Sequence, residues 1–337
     1  MKLFEIAQFL KPEELDEALR ADVSAGLTSQ PKTLPPKWFY DDRGSELFTE
    51  ITRLEEYYPT RRERAILAAR AGEIASATGA RTLVELGAGS GEKTRLLLDA
   101  LGASLEAYVP VDVSGEYLRD AAEKIAAEYP ALAVRPVAAD YERHLSRIPG
   151  GPRKLVAFLG GTIGNMVPQE RHGFLSAIRA TLGPDDALLL GADLVKDEKR
   201  LVRAYDDERG VTAEFNRNVL RVINARLGAD FVPEAFEHVA VWDPDDEWIE
   251  MRLRSRGRQE VRVEALDLTV RFADAEEMRT EISAKFRPER LEAELDAAGY
   301  TLAGFWTDPD GDFSLTLARP QKDHDSEEMS PGRLTVG

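Results

Sequence analysis

The sequence predicts an α/β protein built on a parallel, doubly wound sheet, with a second α+β region beside it. Three observations carry that expectation. Between residues 82 and 190 apolar runs alternate with helical stretches, the pattern that yields parallel strands joined by crossover helices. A glycine-rich turn, LVELGAGSGEKT, follows the first of these runs. From residue 238 the period changes to two, as in WIEMRLRSR, which is the alternation of half-buried strands.

In chain order, MKLFEIAQFLKPEELDEALR has an apolar residue every three or four positions and acidic residues throughout. It reads as an amphipathic helix rather than a signal peptide. A connection containing Pro31, Pro35 and Pro36 leads to a second helix around Ser45–Leu54, and residues 61–79 form a third that ends at Gly79. Strands are expected at Thr82–Leu86, Ala107–Val113, Ala133–Ala138, Leu155–Leu159 and Ala187–Leu190, with helices at 92–102, 115–128 and 168–182 between them. Residues 196–227 read as two helices broken at Gly210, and 238–286 as successive strands that include WIEMRLRSR and VEALDLTVRF. Helix 288–298 and the hairpin GFWTDPDGDFSLTLAR then supply an antiparallel end to the first sheet. The insert at 195–286 is too long for a loop. The expected division is therefore 61–194 with 287–320 as one domain and 1–60 with 195–286 as a second, substrate-binding domain. Residues 321–337 are polar and aperiodic, a disordered tail.

Composition narrows the function. The chain of 337 residues has a formal net charge of −17, which lacks the basic footprint of a nucleic-acid binder, although it does not exclude local RNA contact. There is no cysteine, so disulfides, thiolate metal sites and cysteine nucleophiles are excluded. No run approaches the ~18 apolar residues of a membrane span. The expectation is a soluble cytoplasmic protein, with nothing in the pattern that requires more than a monomer.

The glycine turn has two readings. A phosphate-binding P-loop runs G-x-x-x-x-G-K-[ST] and needs glycine just before its lysine. Here that position is Glu92, ahead of Lys93, a negative charge where phosphates would sit. In the other reading, Gly87 and Gly89 let a nucleoside approach the backbone after the first strand. Asp112 then ends the next strand, 23 residues after Gly89, near the ~20 at which a carboxylate meets ribose hydroxyls. The third strand is followed by Asp140 and Tyr141, a carboxylate and a ring suited to an adenine. Each feature alone is equally a solvated loop acid or a C-cap glycine. In order at successive strand ends, they indicate a Rossmann-like class I methyltransferase domain that uses S-adenosylmethionine.

The fourth strand, KLVAFLGGTIGNM, lacks the acidic or amide residue and paired prolines usual for methylation of nucleobases. Asn165 lies where open α/β sheets meet ligands, and it is also a credible N-cap for the helix starting at Pro168.

The segments LPPKWFYDDRGSELF, ITRLEEYYPTR, LVELGAGSGEKTR, FLGGTIGN, GADLVKD, RLVRAYDDERGVTAEFNRN, IEMRLR, TEISAKFRPE and WTDPDGDFSL together closely resemble the histidine Nα-trimethyltransferases of ergothioneine biosynthesis, bacterial enzymes that form hercynine. The resemblance spans about residues 15 to 319. It implies S-adenosylmethionine binding at Gly87, Lys93, Asp112, Asp140 and Tyr141, with Tyr40 reaching across. It also implies a pocket for free L-histidine between the two domains. There Tyr57, Gly160, Asn165 and Tyr205 handle the α-amino and carboxylate groups, Glu281 and Ser283 hold the imidazole, and Met251 lines it. Tyr40, Tyr57 and Asn165 are the catalytic candidates. Gly161 in FLGG and the polar tail are departures from the resemblance.

The residues make chemical sense in those roles, yet spacing alone would not have chosen them. Glu281 and Ser283 are two apart in a strand-like run and share a face; without the resemblance, a cross-strand surface pair is the favoured reading. Tyr205 follows Leu201 and Val202 at helical spacing and equally suits a core. Met251 alternates with Ile249 and Leu253 as ordinary strand core does, and Tyr57-Tyr58-Pro59 could simply begin a helix. A sulfonium methyl donor is already activated, so direct displacement by a neutral amine needs orientation and electrostatics and no metal. The four histidines, at 144, 172, 238 and 324, show no ligand spacing. Two rivals stand beside this reading: a methyltransferase for another free amino acid such as tryptophan, and a non-catalytic cofactor-binding or adaptor protein.

Overall fold

The computed structural model describes residues 6–9, 12–89, 91–113 and 115–322. Of the expected disordered tail only Gln321 and Lys322 are among them, so that expectation lies outside the described residues. The N-terminal segment is not one helix. Ala7–Gln8 forms a short strand, β1, and helix α1 (Pro12–Thr28) begins only at Pro12, because proline suits the first turn of a helix, where its missing N–H is not needed. After β2 (Lys32–Thr33) come α2 (Asp42–Ile51) and α3 (Pro59–Thr78). Asp41 caps α2 through the Gly44 N–H, and Gly79, in the left-handed conformation at φ 53°, ends α3.

The alternating region follows the sequence closely: β3 (Thr82–Leu86), α4 (Thr94–Leu101), β4 (Ala107–Asp112), α5 (Gly115–Glu128), β5 (Ala133–Val134), β6 (Val137–Ala138), α6 (Tyr141–His144), β7 (Lys154–Phe158), α7 (Pro168–Ala180) and β8 (Ala187–Asp193). The expected single strand at 133–138 is split into two because Pro136 cannot donate to the ladder. The next segments are α8 (Glu198–Tyr205), α9 (Val211–Leu227), β9 (Phe236–Asp243), β10 (Trp248–Ser255), β11 (Gln259–Val263), β12 (Leu268–Phe272) and β13 (Glu277–Ala284). VEALDLTVRF is therefore not one strand. A 3-10 turn at Glu264–Leu266 and Asp267 at φ 47° fold it into the hairpin β11–β12. The chain closes with α10 (Pro288–Ala297), β14 (Tyr300–Thr307) and β15 (Phe313–Pro320).

The large sheet has the order β1-β6-β4-β3-β7-β8-β15-β14, with β5 also on β4. Its pairs are parallel except β8–β15 and β15–β14. Strand order reverses between β3 and β7, and ligands of open α/β sheets bind outside the carboxyl ends at such a switch. Successive side chains enter opposite cores, which is why these strands read as unbroken apolar runs. Val84, Val156 and Leu188 pack on one face, and Leu83, Leu155 and Leu189 on the other.

A four-stranded sheet, β2-β13-β10-β9, backs onto a separate core with α8 and α9 and includes Leu19, Phe39, Leu201, Phe215, Leu220 and Leu253. The two sheets meet where β13 runs against the turn after β7. A Cβ on Gly164 would stand 2.7 Å from the Ala284 carbonyl oxygen, so glycine lets the backbones touch. This contact brings the end of β13 to the switch point of the large sheet.

Candidate functional site

The glycine turn follows β3 with Gly87 at φ 72° and Gly89 at φ 51°, a conformation open to glycine and strained for other residues. A Cβ on Gly87 would touch only the Tyr141 ring, at 3.9 Å, and one on Gly89 would meet nothing within 4 Å. The backbone here is thus accessible to a ligand. The Asp112 carboxylate, at the end of β4, accepts the Gly89 N–H at 3.1 Å and pins the turn. Asp140 immediately precedes α6, and its carbonyl oxygen accepts the N–H groups of Arg143 and His144. The Tyr141 ring packs 5.5 Å from Phe158 and 5.7 Å from Phe174.

Glu85, buried in β3 beneath the turn, is hydrogen-bonded by Thr94 and by Tyr108 at 2.6 Å. Burial pushes its carboxyl up to about 7.

Beside the turn a cavity opens at the carboxyl ends of β7 and β8. Tyr40 and Tyr57 reach it from the N-terminal segment, Gly160, Gly161 and Asn165 from the turn after β7, and Tyr205 from the end of α8. Met251 comes from β10, and Glu281 and Ser283 from β13. All of the acceptor residues expected from the sequence therefore converge, together with Tyr40. Phe48 and Phe215 complete an aromatic wall, with Phe48 edge-on to Tyr40 at 5.6 Å and to Tyr57 at 6.1 Å, and Phe215 edge-on to Tyr40 at 5.4 Å.

Local structure explains each position. Asn165 is not a helix cap: α7 is capped at Val167, whose N–H donates to Glu170 at 3.0 Å, and this leaves Asn165 at the end of a 3-10 turn facing the cavity. Met251 stands opposite Glu281 in the antiparallel register of β10 and β13. Tyr205 is not a plain core aromatic, because its hydroxyl lies 2.7 Å from Ser283 Oγ. Its backbone is held as well. His238 Nε2–H donates to the Tyr205 carbonyl oxygen at 2.8 Å, while His238 Nδ1 accepts from the Asn216 amide at 2.8 Å. Burial lowers the pKa of this histidine, in keeping with a neutral ring of fixed tautomer.

The polar groups of the cavity fall into two classes. The Tyr40 and Tyr57 hydroxyls, the Asn165 amide and the Glu281 carboxyl have no hydrogen-bond partner among the described residues. Burial raises Tyr40 and Tyr57 well above the ordinary phenol value, and neighbouring groups including Glu281 add to the effect. Burial likewise pushes Glu281 up to about 8, partly offset by the Lys285 ammonium. The second class already has protein partners. Lys285 donates to Tyr205 and Ser283 and pairs with Asp193, which also accepts from Tyr58 and Lys196. Burial pushes Asp193 up, yet Lys285 and Lys196 outweigh it and hold the carboxyl below its ordinary value.

Sequence reasoning missed Glu63, Asp193 and Lys285. Glu63 is wholly buried on α3; one carboxylate oxygen accepts the Gly160 N–H at 2.7 Å and the other pairs with Lys93. It thereby joins the glycine turn to the cavity. The available signals were an acid amid the apolar stripe of α3, an aspartate ending β8, and a lysine continuing the alternation 281, 283, 285. Among the described residues, Asp308, Asp310 and Asp312 cluster as metal ligands would. Arg62 pairs with all three, and Arg200 forks onto Asp312. No helix among the described residues is long and apolar enough to cross a membrane.

Comparison with known proteins agrees with this geometry. A histidine N-alpha-methyltransferase of Mycolicibacterium smegmatis is 58% identical over 315 residues, 93% of this chain and 98% of that protein. Ergothioneine biosynthesis protein 1 of Neurospora crassa is 36% identical over 206 residues, 59% of this chain and 23% of that protein. A 4-dimethylallyltryptophan N-methyltransferase of Claviceps purpurea is 30% identical over 213 residues, 59% of this chain and 62% of that protein. The sequence model of the histidine-specific, S-adenosylmethionine-dependent methyltransferases matches residues 19–320. That span takes in every strand of both sheets except β1, so this chain belongs to that family.

Proposed function

We propose that the chain transfers three methyl groups from S-adenosylmethionine to the α-amino nitrogen of L-histidine, giving hercynine for ergothioneine biosynthesis. The observation that carries this reading is a single cavity whose unpartnered groups, Tyr40, Tyr57, Asn165 and Glu281, match an α-amino acid with an imidazole ring. The near full-length histidine relative favours histidine over tryptophan, whose relative aligns with only part of the chain. Residues 61–194 with 287–320 are assigned to a methyltransferase domain and 1–60 with 195–286 to a substrate-binding domain, with the acceptor pocket between them, in a cytoplasmic monomer that needs no metal.

The donor supplies a methyl group on an already activated sulfonium. Gly87, Lys93, Asp112, Asp140 and Tyr141 fit its nucleoside and amino-acid parts, because the turn's backbone is open and a carboxylate and a ring flank it, with Tyr40 closing from the acceptor side. The remaining work is orientation. Tyr57, Gly160, Asn165 and Tyr205 hold the α-amino and carboxylate groups, while Glu281 and Ser283 hold the ring against Met251. The phenols of Tyr40 and Tyr57 stay protonated at neutral pH, so they aim the amine's lone pair rather than serve as phenolate bases. Water takes the proton released between transfers. Hydroxyls and an amide also accommodate an amine that loses its donors as methyls accumulate.

The test offers a panel of free amino acids with S-adenosylmethionine and weighs the products. Histidine is expected to gain three methyl groups. Methylated tryptophan beside unchanged histidine would overturn the reading.

A further inference from the structure

The Ser283 and Tyr205 hydroxyls lie 2.7 Å apart, and Lys285 sits behind both. Its ammonium donates to Tyr205 Oη at 2.8 Å and Ser283 Oγ at 2.7 Å, and meets Asp193 Oδ2 at 3.0 Å. The side chain is fully buried. An ammonium has three protons and no lone pair, so these three acceptors exhaust it.

A count of protons on the hydroxyl pair follows. Each oxygen accepts one bond from Lys285, and one of the two hydroxyl protons lies between the oxygens. One O–H proton and one lone pair remain for the cavity, and they sit on different oxygens. When Tyr205 donates to Ser283, Ser283 can only donate to a ligand and Tyr205 can only accept. When Ser283 donates to Tyr205, the roles exchange. The pair never offers two donors or two acceptors.

We propose that Lys285 is a positioning residue that couples Ser283 and Tyr205, so that the bond made to one end of the amino acid dictates the bond available at the other. The inference rests on the function proposed above. With Tyr205 donating to the substrate carboxylate, Ser283 must accept an N–H from the ring, and Glu281 is left for the second ring nitrogen. A side chain without a donor at that point leaves a buried lone pair unmatched, which disfavours it. Without Lys285 each oxygen regains a lone pair, so either can accept from a ligand whichever way the shared proton points, and acceptance at one end is no longer dictated by the other.

The test is a cycle of binding measurements on the intact protein. L-Histidine and histamine, which lacks the carboxylate, are titrated into the wild type and Ser283→Ala. The affinity losses from removing the carboxylate and the hydroxyl are expected to be non-additive by about tenfold in the wild-type background, and additive within about twofold in Lys285→Met. Losses that add in the wild type, or coupling that persists in Lys285→Met, overturn the proposal. Should Lys285→Met not fold, additive losses between wild type and Ser283→Ala still overturn the proposal. Lys285→Met is also expected to raise KM for histidine about tenfold while KM for the donor stays within about twofold, a split that general damage would not produce. A wild-type enzyme that methylates no histidine contradicts the proposed function instead.

Discussion

Replacing Glu281 by glutamine should change how stability depends on pH, and the size of the change follows from burial. The carboxyl is moved from 4.5 to about 8 because the cavity disfavours its charge. Between those values the folded protein holds a proton that the unfolded chain has released. Stability contributed by this group is therefore lost as pH rises through that window and levels off above about 8. At about 1.4 kcal/mol per pH unit, the full effect is on the order of 5 kcal/mol. Glutamine cannot ionise, so Glu281→Gln should gain on the wild type steadily from pH 5 to about pH 8 and then level off, while contributions from the other titrating groups cancel in the difference. Urea denaturation of both proteins across that range measures it. A difference that does not vary with pH would refute the claim that Glu281 is a desolvated carboxyl without a hydrogen-bonding partner. In parallel, kcat/KM for histidine should fall sharply in Glu281→Ala with donor affinity nearly unchanged; unaltered histidine kinetics would remove Glu281 from the site.

Two further outcomes are expected. His238 has a depressed pKa, so the unfolded chain binds a proton that the folded one does not, and stability is lost as pH falls through about 6.5. His238→Gln should weaken that acid-side loss, read by thermal melts from pH 5 to pH 7.5, and an unchanged profile would show that another group sets it. Gly164→Ala would force a methyl group toward the Ala284 carbonyl oxygen. It should cost about 1–3 kcal/mol in denaturant unfolding and lower kcat/KM for histidine more than for the donor, and wild-type values for both would argue against this contact as the strut of the site.

The sequence showed most of the large sheet because its signals are local. Thr82–Leu86 is legible to the residue, since a strand buried on both faces is mostly apolar, with Glu85 the exception, and Gly87 stops it. The departures arise from long-range pairing and from turns that the sequence signals weakly. Apolar periodicity runs on past the true helix start at Pro12, because Ala7–Gln8 is a strand only through its long-range pairing with Val137–Ala138. VEALDLTVRF alternates like one strand, and Asp267, which tolerates the left-handed conformation, is too weak a turn signal by itself to interrupt that pattern. Asn165 fitted a helix cap and a site equally well until the observed cap fell at Val167.

The donor half of the site was legible because the glycine turn, Asp112 and Asp140 stand at ordered strand ends, where fold and chemistry impose the same spacing. The acceptor half was not legible from spacing, since a carboxylate and a hydroxyl on alternate strand positions look alike in a cavity and on a surface. The resemblance to known sequences named Glu281 and Ser283, and only their packing shows that one is buried without a partner and the other is held by a lysine. Sequence by itself determined most strands of the large sheet and the glycine turn, which depend on neighbours a few residues away, and the change of period from residue 238. The tertiary structure decided which polar groups are satisfied and which are left for a ligand, because that depends on atoms distant in sequence: Glu63 meets Gly160 and Lys93 within the large-sheet half, and the meeting of the two sheets brings Asp193, Tyr205 and Lys285 within hydrogen-bonding reach.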